Sequence, residues 1–131
     1  MKSVVLCGSR RFKNEVKEFA QALRNLGVIV YEPPLFTWDS WPAEFDEKFP
    51  DIKKLVITGL THDHFYKIKM ADVVFVYNKD GYSGPSTTLE IGAACVLSKP
   101  IYALAKDEEL CRQVLFREIV ASPEELVKKL Q

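Results

Sequence analysis

The chain has 131 residues, with 18 Lys+Arg against 18 Asp+Glu, so its formal net charge is zero. Hydrophobic residues make up 47% and charged residues 27%, a globular composition, and this length buries roughly two-thirds of its unfolded surface without a disulfide or metal staple. The zero balance argues against a nucleic-acid polymer as partner, but a few backbone N–H groups suffice for one small anion.

Ser3–Cys7 is an apolar run ended by Gly8-Ser9, which predicts a first strand and a turn. Its four-residue apolar run is too short for a signal peptide, so the cytoplasm is the expected compartment. Residues 13–26 place Val16, Phe19, Ala20, Leu23 and Leu26 on one helical face, opposite Asn14, Lys17, Glu18, Gln21 and Arg24, and Gly27 closes the helix. Val28-Ile29-Val30-Tyr31 is the next strand, ended by Pro33-Pro34. Strand, helix and strand form a βαβ unit with a parallel pair and a right-handed crossover.

Residues 33–51 contain Pro33, Pro34, Pro42 and Pro50, acids that include Asp39, Glu44 and Asp46, and both tryptophans, Trp38 and Trp41. Such a long irregular segment is either a functional lid that contributes to a ligand pocket or a disordered loop, and its simplest reading is a surface excursion whose tryptophans cover part of the core. Ile52–Gly59 is ambiguous. Thr61 is expected to cap a helix carrying Phe65, Ile68 and Met70 that ends before Asp72. Val73-Val74-Phe75-Val76-Tyr77, the most hydrophobic run, is a central buried strand. A turn-rich loop from Asn78 to Pro85 leads into an apolar helix over 86–98. A strand at 100–104, a short helix near 107–113 and a strand around Ile119-Val120 follow. Ser122 caps a last helix that has Pro123 at its first position. The whole reads as a single α/β domain over 1–131, a flavodoxin-like or Rossmann-like three-layer sandwich with about five parallel strands.

No stretch approaches the roughly 18 apolar residues of a membrane span, so no membrane partner is expected. Cys7, Cys95 and Cys111 have no metal-ligand spacing and read as inert reduced core thiols. His62 and His64 have the spacing of a strand ligand pair but no evident third ligand, so neither a metal nor a cofactor is expected.

In an open α/β sheet, ligands bind beyond the carboxyl ends of the strands at the switch in winding. Two segments sit at such ends: Gly8-Ser9-Arg10-Arg11 after the first strand and Asn78–Ser86 after the central one. If those strands are neighbours, both loops flank one crevice. Gly81 and Gly84 permit tight turns, Ser83 and Ser86 add hydroxyls, and the helix N-terminus offers unpaired N–H groups to an anion or a sugar hydroxyl. Ser86 alone has a simpler reading as a helix cap. Glu90 breaks the local pattern, since it is a carboxylate in an otherwise uncharged stretch from Gly81 to Ser98. It either faces the crevice or sits exposed, favoured by the helix dipole. Asp72 and Asp80 read as structural, at a strand start and a turn.

Ala71-Asp72-Val73-Val74-Phe75-Val76, then Gly84, then Leu89-Glu90-Ile91-Gly92-Ala93-Ala94 resemble the nucleoside 2-deoxyribosyltransferase family, which includes the deoxynucleoside 5′-monophosphate N-glycosidases. Cys7-Gly8-Ser9 with Arg11 resembles the N-glycosidase branch, where this turn contacts the nucleotide. The resemblance covers roughly residues 3–105 and is strongest over 61–104. It implies that Glu90 is the nucleophile and that Gly8, Ser9, Arg11, Asn78, Ser83, Gly84 and Ser86 bind the substrate. The family's Asp that assists the leaving base aligns with His64, beside Asp63, and either is implied as the proton donor. The tyrosine of the transferase branch's first turn is absent.

The activity implied is cleavage or transfer at the N-glycosidic bond of a nucleoside or nucleotide through a covalent glycosyl ester. The implied partner is a small-molecule nucleoside or nucleotide. A homodimer or higher homo-oligomer is also implied, and the apolar 86–98 helix points the same way. The competing reading is a non-catalytic nucleotide-sensing module that uses the same crevice without a nucleophile.

Overall fold

The strands with continuous apolar runs lie at the centre of the sheet, where helices cover both faces. In the computed structural model, which describes residues 2–34 and 42–131, the sheet has the order β2-β1-β3-β4-β5 and every pairing is parallel. The strands are β1 (Ser3–Gly8), β2 (Ile29–Tyr31), β3 (Val73–Tyr77), β4 (Ile101–Ala103) and β5 (Glu118–Ile119). β1 and β3 pair along their length, from Val4 opposite Val73 to Gly8 opposite Tyr77. The helices are α1 (Lys13–Asn25), α2 (Glu44–Lys48), α3 (Pro50–Met70), α4 (Pro85–Val96), α5 (Leu110–Gln113) and α6 (Pro123–Leu130). Trp38, Asp39 and Trp41, on which the lid expectation rests, lie outside the described residues.

Alternation along each strand divides the core between the two faces. Val4, Leu6, Val73 and Phe75 meet Val16, Phe19 and Leu23 of α1 and Leu126 of α6. Phe19 stacks on Phe75 with ring centroids 4.5 Å apart. Val5, Cys7, Val74 and Val76 face the other way, towards Ile68 of α3 and Ile91 and Ala94 of α4. This is the expected three-layer sandwich, and its winding reverses between β1 and β3. Among the described residues no helix is long and apolar enough to cross a membrane.

Local signals behave as their chemistry requires. Gly27 takes φ +87° after α1, and the Ser122 hydroxyl accepts the Glu125 N–H at 3.2 Å to open α6. The expectation around Thr61 is corrected. One 21-residue helix, α3, runs from Pro50 through Gly59 and Thr61, so Thr61 caps nothing. Only its last turns meet the sheet, and its buried residues are His64 and Ile68. Ile52, Leu55 and Ile57 are exposed. A helix that is half on and half off the core has no single apolar stripe, which is why its first half is ambiguous in sequence.

Asp72 ties the start of β3 to the start of β1. One carboxylate oxygen accepts the Ser3 N–H at 2.8 Å and the Ser3 hydroxyl at 3.1 Å, and the Asp72 N–H donates back to that hydroxyl at 3.1 Å. The backbone bond, then the hydroxyl, holds the carboxyl below the usual aspartate value. A depressed folded-state value contributes stability above the unfolded pKa and loses it as pH falls through the folded one. Asp72→Asn should therefore melt a few degrees below the parent at neutral pH, with the gap closing in acid. Thermal melts across that range check this, and a gap independent of pH would refute it.

Candidate active site

The crevice lies where the winding reverses, beyond the carboxyl ends of β1 and β3. Gly8 ends β1 in close contact with its neighbour: a Cβ there would meet the Tyr77 carbonyl at 3.3 Å and Val16 Cγ2 at 3.4 Å. After β3 the chain makes a tight turn in which Asp80 (φ 58°) and Gly81 (φ 79°) are left-handed. The Gly81 N–H donates to the Asn78 carbonyl at 2.8 Å, and its own carbonyl accepts the Glu108 N–H at 2.9 Å.

A buried polar network fixes this turn. The Asn78 amide donates to the Ala105 carbonyl at 2.8 Å and to Asp107 Oδ2 at 3.3 Å, and its Oδ1 accepts the Ala105 N–H at 2.9 Å. Asp107 Oδ1 receives Arg112 Nε at 2.9 Å and lies 2.8 Å from Arg112 Nη2. Arg112 Nη1 donates onward to Thr88 Oγ1 of α4 at 3.3 Å. The bond to Asp107 raises the Arg112 pKa further, so the guanidinium stays charged. Asn78, expected to touch substrate, has its side chain committed here and does not line the crevice.

α4 opens with Gly84 in extended conformation and Pro85 at its first position, without a side-chain cap. Ser86 therefore does not cap the helix. It lies exposed in the first turn, where its N–H has no i−4 carbonyl. Ser86 and Thr87 share a face with Glu90, which is one turn further in and about nine-tenths buried. The cavity against this face has two lobes that share Pro33, Ser86 and Glu90. One, about 130 Å³, has walls of Pro33, Pro34, Phe65 and Leu89, with Thr61 and His64 among them. The other, about 170 Å³, lies between Gly8, Ser9 and Arg10 on one side and Tyr82 and Gly84–Thr87 on the other.

Glu90 thus faces the crevice. Its Oε2 is 3.1 Å from His64 Nε2, and the same nitrogen is 3.4 Å from Cys7 Sγ. The approach of Glu90 to His64 Nε2 is too poorly aligned for a hydrogen bond, and among the described residues neither Glu90 Oε2 nor the other ring nitrogen, His64 Nδ1, has a hydrogen-bond partner, although both are buried. Burial, then the nearby Glu90 charge, pushes the Cys7 thiol well above its usual value. Cys7 is therefore a thiol at neutral pH and not an activated thiolate.

The other expected residues divide. Gly8, Ser9, Gly84, Ser86, His64 and Glu90 line the cavity. Ser83 is buried beside it, its hydroxyl without a partner among the described residues. Arg11 stacks its guanidinium 3.7 Å over the Tyr82 ring, and Arg10 lines the crevice in its place. Asp63 is exposed and pairs with Lys67 one turn along α3 at 2.8 Å, on the solvent side of the helix. His62 is exposed too. Cys95 and Cys111 are exposed, contrary to the core reading, because they fall on the outer sides of α4 and α5. The Cys7–His64 contact spans 57 positions and has no local signal in sequence.

Two solved structures share this architecture. A 2-deoxyribosyltransferase from Bacillus psychrosaccharolyticus matches with a TM-score of 0.67 at 21% identity, over 95% of this chain and 89% of that one. The CMP N-glycosidase of Clostridium botulinum matches with a TM-score of 0.54 at 21% identity, over 98% of both chains. No protein-family model and no curated protein sequence matches the chain. At this identity the likeness establishes the fold, the flavodoxin-like α/β sandwich on which both of these enzymes are built.

Two glycines separate the demands of folding from those of the crevice. A Cβ on Gly81 would meet the Lys106 carbonyl at 2.8 Å in addition to its positive φ. On Gly84 it would meet, among the described residues, only Tyr82 Oη at 3.7 Å and Ser9 Oγ at 4.0 Å. Gly81→Ala should lose on the order of 2 kcal/mol in denaturant unfolding, and Gly84→Ala less than about 0.5 kcal/mol. Equal losses would contradict the packing described.

Proposed function

We propose that the chain belongs to the nucleoside 2-deoxyribosyltransferase-like family and cleaves or transfers the N-glycosidic bond of a nucleoside or nucleoside 5′-monophosphate, with Glu90 as nucleophile. The observation that carries this reading is the position of Glu90, a nearly buried carboxylate at the junction of an apolar lobe and a polar one. An N-glycosidic bond joins a flat ring to a hydroxylated sugar, and the two lobes match those two halves.

The base lies between Pro33, Pro34, Phe65 and Leu89. The sugar, with any 5′-phosphate, lies against Ser9, Gly84, Ser86 and the first-turn N–H groups of α4, where the helix dipole favours negative charge. A Glu90 oxygen then faces the anomeric carbon. As the C1′–N bond breaks, its electron pair leaves on the base nitrogen, which takes a proton from His64 Nε2. The Glu90–C1′ ester forms as positive charge develops at the sugar. In hydrolysis water opens the ester and returns its proton to His64; in transfer a second base attacks C1′ through an N–H, releases the Glu90 carboxylate and returns that proton to His64. His64 takes the proton-transfer role because it lines the cavity, whereas Asp63 faces solvent. A non-catalytic sensor has no need of a carboxylate at the meeting of both lobes.

The exposed apolar residues Leu89 and Val96 of α4 and Leu55 of α3 support the homo-oligomer reading. Light scattering should give a dimer or larger species, and a monomer at all concentrations would remove it.

The activity is tested by chromatography of free base released from a panel of nucleosides and 5′-monophosphates, with and without a second base. Glu90→Gln should lower kcat by about 10³-fold or more. His64→Gln should lower it by about 10²–10⁴-fold, and Asp63→Asn by less than about 2-fold. No product from the whole panel, or full activity in Glu90→Gln, would overturn the proposal.

A further inference from the structure

The glycosyl transfer proposed above makes no use of Cys7, yet this residue completes a cluster at the base of the crevice. We infer that Cys7, His64 and Glu90 form a thiolate–imidazole–carboxylate site for a zinc-class divalent cation, and that the ion blocks the nucleophile when bound. The inhibitory half rests on the proposed role of Glu90, while the binding half stands on the cluster alone.

The three donors come from three regular elements, the end of β1, the sheet-facing part of α3 and the first turns of α4. Sγ is 3.4 Å from Nε2, Nε2 is 3.1 Å from Oε2, and all three donors lie within 4.8 Å of one another. Ligand bonds of 2.0–2.3 Å in a tetrahedral zinc site separate the donors by roughly 3.3–3.8 Å. Shifts of less than about 1 Å in side chains already in place would complete the geometry.

The unmet polar atoms point the same way. Glu90 Oε2 is buried, has no hydrogen bond among the described residues and has an imidazole nitrogen beside it. Desolvation of an unpaired carboxylate is costly, and a cation shared with that nitrogen relieves it. A thiolate and a carboxylate together balance a divalent charge, so the loaded cluster is buried neutral. Mixed S, N and O donors in a tetrahedral arrangement suit Zn²⁺ and not Mg²⁺ or Ca²⁺, which require all-oxygen sites of higher coordination. The cavity, lined by His64 and Glu90, provides the entry path and a fourth position for water.

The test uses the full chain with Cys95→Ser and Cys111→Ser, which leaves Cys7 as its one thiol. Co²⁺ serves as the spectroscopic probe and Zn²⁺ as the competitor. The expected result is one Co²⁺ per chain with a thiolate charge-transfer band, displaced by equimolar Zn²⁺ and unaffected by excess Mg²⁺. Cys7→Ser should abolish the band, His64→Gln and Glu90→Gln should each weaken binding at least about 10-fold, and His62→Gln should change nothing. Circular dichroism establishes which variants fold, and any one folded ligand variant decides the question. No band in the parent, or a band unchanged in a folded ligand variant, overturns the site. Zn²⁺ should also inhibit base release, reversibly with chelator. Metal binding by a chain that releases no base would defeat the glycosyl reading and leave the site standing. Base release that saturating Zn²⁺ leaves untouched would overturn the inhibitory half.

Discussion

The pairing of β1 with β3 is the constraint on which the rest of the molecule depends. Two strands separated by some 70 residues lie side by side in full register, and the winding changes direction between them. Helices α1 and α6 then cover one face while α3 and α4 cover the other, and the loops after the two strands must diverge. That divergence opens the crevice. Cys7 and Gly8 reach it from one strand, and the turn at 78–84 delivers α4 to it from the other. The apolar continuity of Val4–Cys7 and Val73–Val76 secures the pairing, and the crevice follows from topology.

Within the crevice, the governing question is how the fold tolerates Glu90. A carboxylate with little access to water needs compensation, and here it is incomplete. The N-terminal part of α4 contributes a favourable field, and His64 stands close without an aligned hydrogen bond. Cys7 offers only a neutral thiol, because its own burial, and then the Glu90 charge beside it, disfavour a thiolate. A charge left partly uncompensated in a cleft is typical of a group whose partner arrives with a ligand.

Much of the fold is legible from the residues alone. The periodicity of residues 13–26, the Ser122-Pro123 start and the runs of β1 and β3 each report local physics, and each forms where the pattern places it. The candidate carboxylate is legible too, since Glu90 stands out against an uncharged stretch. Other features depend on distance in sequence and leave no local mark. Arg11 reads as an anion ligand in sequence, and its stacking on Tyr82, 71 positions away, leaves no local mark there. Asn78 looks like a ligand contact until Ala105 and Asp107 take up its amide. Choosing between Asp63 and His64 requires the rotation of α3 against the sheet, which only packing decides. Thr61 and Gly59 mimic a helix boundary because the outer half of α3 has no core to give it a stripe.

The network of Asn78, Asp107 and Arg112 has a thermodynamic consequence for any ligand of the crevice. Through Thr88 it fastens the start of α4 to the ends of β3 and β4 with buried, charge-assisted bonds. The turn that carries Gly81, Ser83 and Gly84 gave up its conformational entropy when the chain folded. A ligand that docks there meets an ordered wall, and little of its interaction energy is diverted to ordering that loop. Ordering a residue costs on the order of 1 kcal/mol or more, so the network transfers several such terms from the binding equilibrium to the folding equilibrium.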